Sequence, residues 1–228
     1  MEQKIRQYTI EQLIRPLNDV EAKNAPKQVY VAGKIAIPIT APRVAIIGSR
    51  KATPQGLETA RIIAQFLVQN NVIIVSGLAE GIDTAAHTGA IDAKGQTIAV
   101  LGTPLNQVYP KTNAKLQETI MHEHLAVSQF PNGQPILPGN FVQRNKTMAL
   151  ISDASVIIEA GSTSGTIHQG WEAIRLGRPL FIWNKLVQNS VLTWPKKMIH
   201  YGARELFDPK DILEELPSQL HSILEVLQ

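Results

Sequence analysis

The chain has 228 residues, 44% of them hydrophobic, which suits one α/β domain with short extensions and a sizeable core. Its formal net charge of +3 allows a local basic patch without itself pointing to nucleic acid, and the absence of cysteine excludes disulfides, thiolate chemistry and Cys-ligated zinc or iron–sulfur clusters. Residues 1–6 lack the apolar core of a secretory signal and no apolar run is long enough to span a bilayer, so a cytoplasmic protein with no membrane partner is expected.

Residues 1–28 read as an N-terminal helical extension, an amphipathic helix around Ile10, Leu13, Ile14 and Leu17 followed by a polar segment that Pro26 closes. Residues 29–37 look like a small hairpin with Gly33 near its turn. Short apolar runs then alternate with helical periods. Strands are expected over residues 44–47, 72–75, 97–101, 125–127, 155–158 and 179–182, apolar on both faces as parallel strands covered by helices on two sides must be. Between them, Leu57, Ala60, Ile63, Ala64, Leu67 and Val68 follow the 3.6 period, and Ile82, Ala85, Ala86, Gly89, Ala90 and Ala93 repeat it with small side chains suited to close packing. After the Pro/Gly loop of residues 131–139, Asn140 is expected to N-cap a helix starting at Phe141. Residues 195–228 read as a short C-terminal helical extension broken at Pro209 and Pro217. The alternation in residues 29–194 argues for the α/β class, a doubly wound three-layer α/β/α sandwich with a largely parallel sheet.

In such sheets ligands bind beyond the carboxyl ends of the strands, and four turns there are rich in Gly, Ser and charge. In the first, Gly48 permits a tight turn while Ser49, Arg50 and Lys51 offer a hydroxyl and cations to phosphate. It is not the G-x-G-x-x-G dinucleotide fingerprint, and no acidic residue caps the next strand, which disfavours a nicotinamide enzyme. In the second, Ser76 and Gly77 open a turn framed by Gly77 and Gly81. Asp83 and His87, one helical turn apart, suit either acid–base work or a structural hydrogen bond that fixes the loop. The third opens a helix with Asn140, Phe141, Arg144, Asn145 and Lys146. Cations so early oppose the helix dipole, which favours an anionic ligand, and Phe141 suits either the core or base stacking. The fourth, running to Ser164, Gly165 and Thr166, offers hydroxyls and N–H groups at a helix start. With Lys111 from the turn after the middle strand, parallel strands would gather Arg50, Lys51, Lys111, Arg144 and Lys146 along one sheet edge as a phosphate-tracking groove.

These turns, in this order and spacing, resemble the DNA-processing protein A (DprA/Smf) family. The matching stretches are residues 44–54 (VAIIGSRKATP), 75–87 (VSGLAEGIDTAAH), 98–102 (IAVLG), 108–110 (VYP) and 138–145 (PGNFVQRN), and the resemblance covers roughly residues 29–182. It implies an extended Rossmann-like fold, binding of single-stranded DNA, loading of the recombinase RecA in natural transformation, and homodimers. By position the DNA-contacting role falls on Arg50, Lys111, Arg144 and Lys146. The resemblance brings no catalytic residue, cofactor or metal, and within it Asp83 and His87 read as a clamp on their loop. Full-length members usually carry an N-terminal SAM-like domain and often a C-terminal winged helix, for which residues 1–28 and 195–228 are too short. The late loop also departs from the family, since residues 166–173 (TIHQGWEA) replace a more aliphatic helix start. Its glycines are similar to those of the Lonely Guy-type phosphoribohydrolases, so the alternative is a nucleotide-binding or nucleoside-monophosphate-hydrolysing enzyme using Glu159 and Glu172. His168 and Gln169 stand where that motif needs its Glu. A third possibility keeps the fold as an interaction module, with Trp171, Trp183 and Trp194 on a partner surface.

Overall fold

The computed structural model describes residues 4–217. In chain order the elements are β1 (Arg6–Tyr8), α1 (Ile10–Leu13), α2 (Asp19–Asn24), β2 (Val29–Gly33), β3 (Arg43–Gly48), α3 (Pro54–Gln69), β4 (Ile73–Ser76), α4 (Ile82–Asp92) and β5 (Thr97–Leu101). A 3₁₀ turn (Lys111–Asn113) leads into α5 (Ala114–Glu123), β6 (Leu125–Ser128), α6 (Pro138–Ile151), β7 (Ala154–Glu159), α7 (Gly165–Arg175) and β8 (Leu180–Trp183). The chain then runs through α8 (Asn184–Val187), α9 (Trp194–His200), β9 (Arg204–Leu206) and α10 (Lys210–Leu213).

The nine strands among the described residues form one sheet in the order β1-β2-β6-β5-β4-β3-β7-β8-β9. From β6 to β9 every pairing is parallel, and β2 and β1 add antiparallel strands at one edge. This is the three-layer, largely parallel Rossmann-like sheet that the alternating pattern predicts. Period 2 divides the strand residues between its faces. Val44, Ile46, Ile74, Val156 and Ile158 pack with Ala60, Ile63, Leu67 and Ala86 of α3 and α4. Ala45, Ile47, Val75, Val100 and Ile157 face Met148, Leu150 and Ala173 of α6 and α7.

Three local expectations are corrected. Residues 1–28 hold not one helix but a strand and two short helices. The apolar stripe of Ile10, Leu13 and Ile14 is buried as expected, but Pro16 prevents continuation and Asn18 starts α2 with a capping box completed by Glu21. Residues 29–37 form no hairpin. Only β2 is a strand, inserted between β1 and β6, and His124 O then accepts from the N–H groups of both Lys34 and Ile35. The third helix start also moves, because Pro138 occupies its first turn and Leu137 the N-cap position. Asn140 lies inside that turn, its Nδ2 donating to Pro135 O at 3.2 Å. Both terminal extensions contribute strands, β1 and β9, to the common sheet.

Candidate nucleic-acid interface

From β3 the chain builds outward through β4, β5 and β6, then returns to the other side of β3 for β7, β8 and β9. The reversal leaves a crevice beyond the carboxyl ends of β3 and β7 that no crossover connection fills, the usual ligand position in open α/β sheets. The turns after those two strands are the first and fourth turns singled out in the sequence.

They are tied directly to each other. Ser49 N donates to Glu159 O at 2.6 Å, and Thr166 Oγ1 donates to Gly48 O at 3.1 Å. A Cβ on Gly48 would lie 2.5 Å from Ile82 Cγ1, so only glycine lets the first turn pass this close to α4. Glu159 finishes the junction, its carboxylate accepting from Thr53 N at 3.1 Å and from Thr53 Oγ1 at 2.7 Å while Thr53 caps α3. At α7, Ser164 Oγ accepts from Thr166 N at 3.2 Å. Ser49 Oγ accepts from Lys51 N at 3.1 Å, and Arg50 and Lys51 project outward, both exposed.

The second turn is a scaffold. Ser76 is fully buried and its hydroxyl donates to Ile46 O at 2.7 Å. Asp83 Oδ2 accepts from Gly77 N and Ala79 N, each at 3.2 Å, and holds a loop in which Leu78 (φ 58°) and Gly81 (φ 77°) adopt left-handed backbone. Burial pushes the Asp83 carboxyl up, and Arg144 with the N–H groups of Ala79 and Gly77 pulls it partly back. The expected Asp83–His87 hydrogen bond is not formed. His87 Nδ1 instead meets Thr97 Oγ1 at 2.7 Å, and Thr97 donates onward to Ile74 O at 2.9 Å. With Thr97's proton so committed, Nδ1 carries the imidazole hydrogen. The i,i+4 spacing puts the two residues on one helical side, but Asp83 sits at the helix start, where loop N–H groups outcompete a neighbouring ring.

In the third turn, Phe141 packs against Tyr109, their ring centroids 5.2 Å apart, and the Arg50 guanidinium lies 5.6 Å from the Phe141 centroid. Arg144 points inward. It is only 5% exposed and donates through Nη1 to Gly77 O and to Val100 O, the latter at 3.0 Å. Burial depresses its basicity and Asp83 offsets this. Asn145 Nδ2 donates to Gly165 O at 3.2 Å, joining α6 to α7.

A cleft of about 460 Å³ results. It gathers Gly48, Ser49, Arg50 and Lys51 from the first turn, Asp83 from the second, Phe141, Arg144 and Asn145 from the third, and Ser164, Gly165 and Thr166 from the fourth. A small pocket beside it shares Arg50, Phe141 and Arg144 and adds Gly77, Tyr109 and Pro110. Lys111 and Lys146 are exposed but line neither cavity, while Ser76, His87 and Asn140 are buried behind them. Arg50, Lys51 and Arg144 face a single carboxylate, Asp83, so the cleft favours an anion. The larger cavity, about 670 Å³, lies at the opposite ends of the strands. There the buried Arg43–Asp153 pair (2.8 Å) is structural. Tyr109 and the organising role of Glu159 were not anticipated. A Tyr-Pro turn in the sequence hints at the first, but the second depends on a tertiary contact between β7 and α3.

Residues 9–217 match the family model for DNA recombination-mediator protein A. The chain is 33% identical over 213 residues to the DNA processing protein DprA of Streptococcus pneumoniae, covering 93% of this chain and 75% of that protein. It is also 33% identical over 197 residues to the Smf protein of Escherichia coli, spanning 86% of this chain but only 52% of that relative. Among solved structures, S. pneumoniae DprA superposes with a TM-score of 0.80 at 31% identity, covering 95% of this chain and 76% of that one. A Helicobacter pylori DprA, described as binding single-stranded DNA in a unique mode, superposes with a TM-score of 0.75 at 25% identity, covering 92% and 94%. Sequence, fold and the order of the four turns therefore agree that the chain belongs to the DNA recombination-mediator protein A family of DprA-type DNA processing proteins.

Proposed function

We propose that the chain is a non-catalytic single-stranded DNA-binding protein whose ligand runs through the cleft beyond β3 and β7. The observation that carries this reading is the Arg50 guanidinium lying on the ring of Phe141, beside Tyr109 and at the mouth of the cleft. A cation for the phosphate next to an aromatic face for the base is the pairing that single strands require, and it reads little sequence. Lys51 joins Arg50 at the cleft, and Lys111 and Lys146 act as exposed phosphate contacts along its flanks. The single-stranded DNA described for the H. pylori relative supports the same ligand class. Delivery of the strand to the recombinase RecA, by a homodimer, is a further part of the proposal.

The hydrolase alternative lacks support at its named carboxylates. Glu159 is bound to Thr53, and Glu172 is paired with Arg175 Nε at 2.8 Å. One anisotropy titration against oligo(dT), the matching duplex and a nucleoside monophosphate panel tests the reading. Preference for the single strand by at least about tenfold is expected, corresponding to about 1.4 kcal/mol from one stacked base. Equal affinity for duplex, or release of free base from the monophosphates, would overturn it.

A further inference from the structure

We infer that Arg144 is a positioning residue of the proposed DNA cleft: its guanidinium fastens α6 to the ends of β4 and β5, so setting Phe141 against Arg50 and Tyr109, without itself neutralising a phosphate. The inference rests on the DNA-binding reading above and changes the role that family position assigns to this arginine.

The Gly77 peptide is gripped from both sides, its N–H by Asp83 and its carbonyl by Arg144. The same Nη1 reaches Val100 O on the adjacent strand at 3.0 Å. One guanidinium nitrogen therefore joins two strand ends to a helix, and a shorter, more strongly hydrated ammonium in its place costs more to bury. Gly77 has no room for a side chain because a Cβ there would fall inside the Arg144 guanidinium. Phe141 precedes Arg144 by one helical turn and shares its docking. It packs so closely on β5 that a Cβ on Gly102 would lie 2.6 Å from Phe141 Cδ1. Arg50 and Lys51 are exposed to solvent, whereas Arg144 is 5% exposed, its Nη1 engaged by two carbonyls and its Nε buried without a partner among the described residues.

The test is a titration of the full chain with oligo(dT) carrying 2-aminopurine, over a salt series, for the unaltered protein, Arg144→Gln, Arg144→Lys and Gly77→Ala. A positioning role predicts binding about tenfold weaker in all three, a loss of about 1.4 kcal/mol that lies within the range for one stacked base. It also predicts an unchanged slope of log K against log salt in Arg144→Gln, and weaker 2-aminopurine quenching at saturation. Simple loss of stability would lower the active fraction but leave quenching of the bound strand unmoved. A direct phosphate contact predicts instead a slope reduced by about 0.7 in Arg144→Gln and near-complete rescue by Arg144→Lys, and that pattern overturns the inference. Unchanged affinity and quenching in Gly77→Ala also overturn it. If Arg144→Gln does not fold by circular dichroism, the two charge-preserving variants decide through affinity and quenching. No binding by the unaltered chain refutes the DNA reading itself, an outcome distinct from binding that ignores Arg144.

Discussion

Replacing His87 by Asn should flatten the acid limb of the stability profile. His87 is fully buried, and burial, with the charges of His124 and Arg144, pushes its pKa from 6.5 down to about 3. Its Nε2 has no hydrogen-bond partner among the described residues, so a proton added there would be buried unpaired. Between pH 6.5 and 3 the unfolded chain therefore binds a proton that the folded chain refuses. Stability from this group is complete above pH 6.5 and is lost as pH falls toward 3, at about 1.4 kcal/mol per pH unit. Over the two units from 6.5 to 4.5 the loss comes to about 3 kcal/mol. An asparagine amide can keep the donor to Thr97 Oγ1 without titrating. His87→Asn should be somewhat less stable than the unaltered protein at pH 7.5, because it leaves a small void, yet lose about 3 kcal/mol less on acidification to pH 4.5. Urea unfolding monitored by tryptophan fluorescence at the two pH values measures this. Identical pH dependence in the two proteins would show that His87 is not held neutral by its burial and would refute this reasoning.

Glu21→Gln should destabilise by about 2 kcal/mol at pH 7 in urea melts, because its fully buried carboxylate accepts charged hydrogen bonds from Arg15 (2.8 Å) and Arg178. Burial pushes Glu21 up, but the Arg15 hydrogen bond, the Asn18 N–H and Arg178 outweigh it and hold the carboxyl below 4.5. Its contribution is therefore present above pH 4.5 and fades as pH falls through the folded value, so the mutant and the unaltered protein should converge in acid. Phe141→Ala should weaken oligo(dT) binding by about 1–3 kcal/mol in anisotropy titrations, with no change in salt slope, since it removes a stacking face and no charge. Gly81→Ala should lower both stability and DNA affinity, seen as a shifted urea midpoint and a weaker titration. A Cβ there would collide with Ser49 O, and φ 77° with ψ −125° is a backbone region open essentially to glycine alone, costing about 1–3 kcal/mol for another residue.

The parallel core was legible because each strand is a short β-branched run buried on both faces, a pattern that needs no tertiary information. The four turns could be read as a cleft for a related reason: parallel strands force their carboxyl ends to one side. What escaped depends on partners distant in sequence. The strand at residues 6–8 is three residues long and owes its existence to β2. Arg144 looks in sequence like a phosphate contact at a helix start, and only the carbonyls of Gly77 and Val100 turn it inward. Asp83 and His87 share a helical spacing, yet their partners lie in the loop at Ala79 and on the strand at Thr97. Phe141 illustrates both sides. Its two possible roles were visible, but the choice of a ring facing Arg50 required the docking of α6.

The most direct test of the account is the salt dependence of oligo(dT) binding by the unaltered chain and by Arg50→Ala. Log K should fall linearly with log salt for both, with binding weaker and the slope shallower by about 0.7 when Arg50 is removed, the signature of one lost phosphate contact on a single strand. An Arg50→Ala titration that superimposes on that of the unaltered protein at every salt concentration would contradict the placement of the strand in this cleft.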